Sequence, residues 1–504
     1  MFANVLSGAA IGINACPVSV EVDIARGLPQ ILIVGLPDAS INESRERVRA
    51  AIKSSGFELP LGRIVVNMAP ADLRKEGSHF DLPIAIGILM SSGQLVSKGK
   101  FWLLGELSLN GLLKPASGVL PIVAAAREWG IKSIIVPKAN SHEAALIKDI
   151  NVYSAANLKE AVEILSEEEK RSQYLVPPQE FNCNNSFEFN GQDIKYVKGQ
   201  YQAKRALEIS AAGGHNLLFV GEPGGGKSML AQCLPSILPP LTNEMSLEVT
   251  KIYSVAGLLK DESKSVILGR PFRSPHHSIS GAGLIGGGSN PKPGEVSLAH
   301  HGVLFLDELA EFDKRTLDNL RQPIESGEVV ISRARLSVKY PSKFLLIAAC
   351  NPYTGLKQSG AKKKLIISAP LWDRFGLVVW VPPLKPDELI DFNPDIQESS
   401  ASVRERVLIS WTRQSERFKH RIGSDVVNNS SMKPQDIKEF CVFTEPAKKL
   451  LREATVSLSL TGRTYDHVLR VSKTIADLVD ADEIEEEHVA EAIQYRISQE
   501  SIIN

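Results

Sequence analysis

A chain of 504 residues, 43% hydrophobic and 23% charged, is too long for a single core, and its length implies about three domains. A formal net charge of −1 excludes a protein that is basic over its whole surface, so any nucleic-acid contact must come from a local patch or a channel formed on assembly. No uninterrupted apolar run reaches the roughly 18 residues a membrane-spanning helix requires.

Val18, Val20, Val22 and Ile24 alternate with Ser19, Glu21 and Asp23, the period-two pattern of a half-buried strand. Short apolar runs at 31–36 and 63–68, bounded by Gly or Pro, predict buried strands. Between them, Ile41, Val48, Ala51 and Ile52 recur at helical spacing within 40–56. Strands are expected at 101–109 and 131–137, flanking a helix at 119–129. Residues 1–165 therefore read as one mixed α/β domain. The polar stretch 166–192, broken by Pro177, Pro178 and Asn182, reads as a linker. A second α/β block covers 193–385, a further linker 386–401, and 402–504 has helical spacing with no strand runs. The first basic residue is Arg26, so no secretory leader is expected. Cys16, Cys183, Cys233, Cys350 and Cys441 form no CxxC pair, and reduced thiols in the cytoplasm are the simplest expectation.

The chemistry concentrates in the second block. The apolar strand Leu217 to Val220 runs into Gly221-Glu-Pro223-Gly224-Gly225-Gly226-Lys227-Ser228, and a helical pattern follows. Strand, glycine loop and helix in that order are the context of a phosphate-binding P-loop. The glycines let backbone N–H groups turn inward, and the helix start adds its positive end. Lys227 is placed to meet the β- and γ-phosphates of ATP, and Ser228 to ligate Mg²⁺. Val303 to Leu306 forms a second buried run that ends in Asp307 and Glu308. Beside a P-loop, Asp307 fits a Mg²⁺ partner through water, and Glu308 a general base for the attacking water. Asn351 ends a further apolar run and is a candidate to orient that water. Arg374 is a candidate finger for a neighbouring subunit's γ-phosphate, and Arg463 could reach the phosphates from the helical segment. Each arginine taken alone also fits a surface ion pair.

This set, in this order, resembles the AAA+ ATPases. Lys227 and Asp307 lie 80 residues apart, leaving room for an insert that contains SPHHSISGAGLIGGGSNPKPGE, and a hairpin-like EVVISRARLSVKYPSKF follows. Both features resemble the magnesium-chelatase/MCM branch. The stretches GLPDASINESRERVRAAI, VNMAPADLRKEGSHFDLPIAIGIL, VKGQYQAKRALEISAAGGHNLLFVGEPGGGKSML and LTGRTYDHVLRVSKTIADL resemble the ComM/YifB family of magnesium-chelatase-like ATPases over nearly the whole chain.

The resemblance implies a Lon-protease-like (S5 domain 2-like) α/β domain, a central AAA+ P-loop α/β domain and a C-terminal helical lid. It implies a cytoplasmic homo-hexamer that uses ATP and Mg²⁺ to drive branch migration of DNA during recombination, including natural transformation. Its DNA-contact candidates are Arg333, Arg335 and Lys339 of the hairpin and Lys357, Lys362, Lys363 and Lys364 of the loop after Asn351. That lysine run also fits an ordinary solvated loop. Members of the family usually carry a zinc-type cysteine cluster after the Asn-Pro step. Here only Cys350 is near, so no zinc is expected. Set against the Lon pattern, Leu120 occupies the lysine's place and Phe80-Asp81-Leu82 the serine's, with Ser78 close by, so no peptidase is expected. The pairs His276-His277 and His300-His301 show no third or fourth ligand at metal spacing. The alternatives left open are a magnesium chelatase motor subunit and a protein-remodelling ATPase.

Overall fold

The computed structural model describes residues 2–183, 192–259, 265–288, 291–333, 336–351, 368–384, 393–419 and 428–503. The chain opens with a long antiparallel hairpin, β1 (Phe2–Ile11) and β2 (Asn14–Ala25), with Phe2 opposite Asp23 and Ile11 opposite Asn14. On β2 the alternation is realised physically: Val18, Val20 and Val22 are fully buried. β3 (Gln30–Val34) and β4 (Arg63–Ala69) run parallel to each other, and β4 pairs antiparallel with β2. The helix Ala39–Ser54 lies between them in sequence, its first turn capped by Asp38, whose carboxylate accepts from the Ile41 N–H at 2.8 Å.

The expected strand at 101–109 is cut in two. After β5 (Trp102–Leu103), Gly105 donates to the His79 carbonyl and its own carbonyl accepts from Leu82. The chain thereby leaves the main sheet and forms a small ladder of β6 (Glu106–Leu107) with β7 (Leu113–Lys114). β8 (Ser133–Pro137) and β9 (Asn151–Ala155) complete a seven-stranded sheet of order β3-β4-β2-β1-β5-β8-β9. Phe80, Leu82 and Leu120 are buried in this region's cores, and the Ser78 hydroxyl donates to Glu106. The segment after residue 166 is tied down in its first part. Arg171 donates to the Ile164 carbonyl at 2.7 Å and stacks over Phe101, and Val176 N–H donates to Val152 at the β9 edge.

The second sheet is built from β10 (Leu217–Val220), β11 (Phe272–Arg273), β14 (Val303–Leu306), β17 (Leu345–Cys350) and β18 (Leu377–Trp380). Its order is β11-β14-β17-β10-β18, and every neighbouring pair is parallel. Both faces are covered, so its strands read as continuous apolar runs. Leu217, Phe219, Phe305 and Ile347 face the helices Tyr201–Gly213 and Lys227–Ile237, and the C-terminal helices join the same core. Leu218, Val220, Leu304 and Leu346 face the opposite core. That second core includes a hairpin of β15 (Glu328–Arg333) and β16 (Leu336–Pro341), inserted ahead of β17, while a short ladder of β12 (Gly286–Gly287) and β13 (Lys292–Pro293) lies in the insert.

Among the described residues, the chain beyond residue 397 contributes helices and no strand. There Asp477 is fully buried and accepts from Arg417 at 2.6 and 2.9 Å and from Asn429 at 2.8 Å. A buried charge so fully bonded ties the helix Ser400–Phe418 to the helix Gly462–Leu478.

The N-terminal region docks on the second through the helix Asn243–Ala256, where Ser254 accepts from Gly118 N–H at 2.9 Å and its hydroxyl meets Leu120 N–H at 3.3 Å. Glu143 is buried in this contact and accepts from Asn140 at 2.6 Å. Burial pushes its carboxyl up to about 7 from an ordinary 4.5. The folded chain thus holds a proton there that the unfolded chain releases at lower pH. This contribution to stability is complete below pH 4.5 and lost as pH rises to about 7. Glu143→Gln, which keeps the neutral shape, is therefore expected to stabilise the protein at pH 8 by up to about 3 kcal/mol, with little effect at pH 4.5. Melting temperatures of the two proteins compared from pH 4.5 to 8 check this, and an offset independent of pH would contradict it.

Candidate nucleotide site

The loop Gly221 to Gly226 leaves the carboxyl end of β10, the position at which open α/β sheets bind ligands. Two kinds of glycine hold its shape. At Gly221 the constraint is space: a Cβ would stand 2.1 Å from the Val381 carbonyl oxygen, and the Gly221 N–H donates to Cys350 at 3.2 Å. At Gly224 and Gly226 it is conformation, with φ of +83° and +84° and open space where a side chain would be. Pro223 precedes Gly224, and Gly225 packs on Val381.

Lys227 opens the helix and is largely buried, and its ammonium donates to the carbonyls of Gly221 at 2.8 Å and Glu222 at 2.7 Å. Burial lowers its pKa, an effect that nearby Asp307 opposes. The Ser228 hydroxyl donates to Asp307 Oδ2 at 2.7 Å, joining the loop to the end of β14. Asp307 Oδ1 accepts from the Glu308 N–H at 2.9 Å, and Glu308 itself is in the left-handed region at φ +51°. An alcohol and a carboxylate that converge in this way form an all-oxygen donor set, which fits a hard divalent cation such as Mg²⁺. Ser228 and Asp307 would hold that ion beside the positive end of the helix Lys227–Ile237.

The Glu308 carboxylate is half-exposed and lies 3.4 Å from His277 Nδ1, whose ring lies tilted against His276 and meets Phe312 edge-on. Asn351 follows β17 directly, next to the loop through the Gly221–Cys350 bond. The two arginines lie together elsewhere. The Arg374 guanidinium pairs with Glu325, and Arg463, in the first turn of its helix, lies 3.5 Å from Asp373. Among the described residues neither bonds to Lys227, Ser228, Asp307 or Glu308.

On the hairpin, Lys339 is exposed and pairs across the strands with Glu328 at 3.2 Å. Arg333 ends β15, while Arg335 and the lysines Lys357, Lys362, Lys363 and Lys364 lie outside the described residues. The His300-His301 pair has a third group after all in Glu248, at 3.2 and 2.9 Å from the two Nε2 atoms. His300 Nδ1 accepts from the Lys343 N–H at 3.0 Å, so the neutral ring carries its proton on Nε2 and donates it to Glu248. Burial lowers the His300 pKa to about 4 and keeps that ring neutral, and its hydrogen bond to Glu248 braces the cluster.

Two site residues escape sequence reasoning. His277 shows only as one of an adjacent histidine pair. Gln200, in VKGQ, gives no chemical signal at all, yet its amide donates to Gly225 at 3.1 Å and to Pro382 at 2.7 Å.

Comparison with known proteins agrees with this geometry. Residues 193–389 match a family described as magnesium chelatase, subunit ChlI; residues 20–140 match subunit ChlI of Mg-chelatase, and 397–496 its C-terminal part. The chain is 42% identical to competence protein ComM of Haemophilus influenzae, covering 98% of this chain and 97% of that one. It is 41% identical to the uncharacterized protein YifB of Escherichia coli, over 97% and 96% of the two chains. The magnesium-chelatase 38 kDa subunit of Cereibacter sphaeroides is 27% identical over 37% of this chain and 57% of its own.

The two glycine constraints separate experimentally. Gly221→Ala drives a methyl group into backbone that cannot rotate away, so the variant is expected to melt lower and to lose stabilisation by MgATP. Gly224→Ala has room and bears only the left-handed conformation, a cost of about 1–2 kcal/mol. Melting curves with and without MgATP read both, and equal behaviour of the two variants would contradict the distinction.

Proposed function

The chain belongs to the ComM/YifB family of magnesium-chelatase-like AAA+ proteins, and from that premise we propose that it is an ATP-driven DNA translocase working as a closed ring of identical subunits. In this reading the site binds ATP with Mg²⁺, an ion that supplies charge compensation on the phosphates. Lys227 exchanges its two loop carbonyls for the β- and γ-phosphates. Glu308 polarises the attacking water, Asn351 orients it, and Ser228 and Asp307 fix the phosphate end of the substrate.

The observation that carries the ring is the separation of the arginines. The Arg374 carbonyl accepts from Asn216, just before the amino end of β10, whereas the P-loop leaves the carboxyl end of that strand, and Arg463 joins the same corner through Asp373. A site that lacks its arginine is completed by another copy, and head-to-tail contacts of that kind close into a cycle. The hairpin β15–β16, with Arg333, Arg335 and Lys339, and the lysine loop after Asn351 then supply the DNA contacts of the pore. Such contacts fall on phosphates, are blind to sequence and weaken with salt. The name of the Haemophilus relative places it in competence, which supports a role in competence here, and branch migration of recombining DNA in the cytoplasm is the work we propose for this chain. We read residues 1–165 as a Lon-protease-like unit that has become a scaffold or DNA-binding element, 193–385 as the ATPase core and 402–504 as its lid. The family models favour one other reading, a chelatase motor subunit. Against it stands the limited overlap with the chelatase subunit, set beside the full-length match to the competence protein.

ATP turnover by the purified protein, alone and with single-stranded, duplex or four-way-junction DNA, tests the reading. DNA is expected to stimulate turnover, most strongly for the structure on which the motor works. Glu308→Gln is expected to lower turnover about 10²- to 10⁴-fold while ATP binding persists. Turnover indifferent to every DNA would overturn the DNA reading and leave the ATP site standing.

A further inference from the structure

We infer that Gln200 is the positioning residue that sets which way the Gly225–Gly226 peptide faces, and so whether the loop offers the phosphates an N–H or a carbonyl. The inference rests on the ATP reading of the loop.

Gln200 is buried and directly precedes the helix Tyr201–Gly213. It occupies the left-handed region at φ +56°, a conformation that a non-glycine residue adopts at a cost and keeps only where its surroundings enforce it. Both hydrogens of its amide are engaged, one by Pro382 O at 2.7 Å and one by Gly225 O at 3.1 Å. Each acceptor is a carbonyl, so the NH₂ end of the amide must face them. The side chain thus joins the loop to the exit of β18, two segments 25 and 182 residues from it in sequence.

The Gly225–Gly226 peptide needs such a hold. Its own residues are glycines, Gly224 and Gly226 have positive φ, and no atom lies within 4 Å of the space a Cβ would fill at either. On the Gly225 side a Cβ would touch Val381 and Pro382, but nothing stands within 4 Å of one at Gly226, so packing holds only one end of this peptide, and glycine resists its rotation least of all residues. A trans peptide is planar, with its N–H antiparallel to its carbonyl. With the Gly225 carbonyl turned to Gln200, the Gly226 N–H is directed to the side away from Gln200, where the ATP reading of the loop puts the phosphates. Without Gln200 the peptide is free to turn over and present a carbonyl oxygen to a polyanion.

The test uses the full-length protein and Gln200→Met, which keeps size and loses both donors. MgATP affinity by calorimetry and steady-state turnover are measured together with melting in the absence of nucleotide. The expected result is a rise of about 10- to 100-fold in Kd and KM for ATP, the loss of one hydrogen bond to a charged group. With it, kcat at saturating ATP should stay within about twofold, as for an interaction made equally in ground and transition states. The nucleotide-free melting temperature should fall by no more than a few degrees, the effect of two lost bonds to loop carbonyls. Wild-type affinity in Gln200→Met would overturn the inference while leaving the ATP site intact. A variant that melts lower than this before nucleotide is added and loses kcat along with affinity would also overturn it, since Gln200 would then be an element of the fold only. Failure of the wild-type protein itself to bind MgATP would remove the ATP reading and this inference with it.

Discussion

The contact between Ser228 and Asp307 depends on a register that the whole second sheet exists to set. Leu217 of β10 and Phe305 of β14 both stand opposite Ile347 of β17, so the strands end at nearly the same height on either side of it. Only because β17 lies between them in parallel do the glycine loop and the Asp307–Glu308 pair arrive at one end of the sheet, with hydroxyl and carboxylate 2.7 Å apart. A slip of one residue would turn every side chain to the other face and break both cores. The chemistry thus inherits its precision from buried apolar strands that carry none.

The same sheet connects the site to distant parts of the chain. Val381 and Pro382, just beyond β18, form the wall against which Gly221 and Gly225 pack, and Gln200 reaches that wall from the helix before β10. On the opposite core the hairpin β15–β16 touches the N-terminal sheet. Gly12, at the turn between β1 and β2, comes so close that a Cβ there would lie 2.8 Å from Val338 and 2.9 Å from the Lys339 carbonyl. The N-terminal sheet therefore braces the hairpin from which the proposed DNA contacts project. Movement of one without the other would open an apolar seam that contains Ile11 and Ile13.

How much of this was legible in the sequence follows from how local each signal is. The valines of β2 and the runs of β10, β14 and β17 announce themselves because burial on one face or both imposes a short apolar period. The loop is legible because the glycines, Lys227 and Ser228 are consecutive. The strand at 101–109 was misread because its apolar residues are divided between two sheets, a division made by bonds to His79 and Leu82. β1 and β9 went unread because Ala, Gly and Ser, or a short mixed run, blur the alternation. Gln200, His277 and Glu248 were invisible as site or brace residues, since their partners lie 25 to 182, 31 and about 52 residues away, and only the fold brings them together. The family resemblance was legible over the full length, and the relatives agree with it.

If each ATP site is finished by a second copy of the chain, as proposed, mixing two inactive variants should restore turnover. Lys227→Ala cannot hold the phosphates, and Arg374→Ala cannot complete a neighbour's site. Each alone should hydrolyse little ATP. Mixed rings contain interfaces where an intact Lys227 of one copy faces an intact Arg374 of another, so turnover should recover well above the sum of the two separate activities. A mixture that never exceeds that sum would contradict the account and place Arg374 in the service of its own subunit.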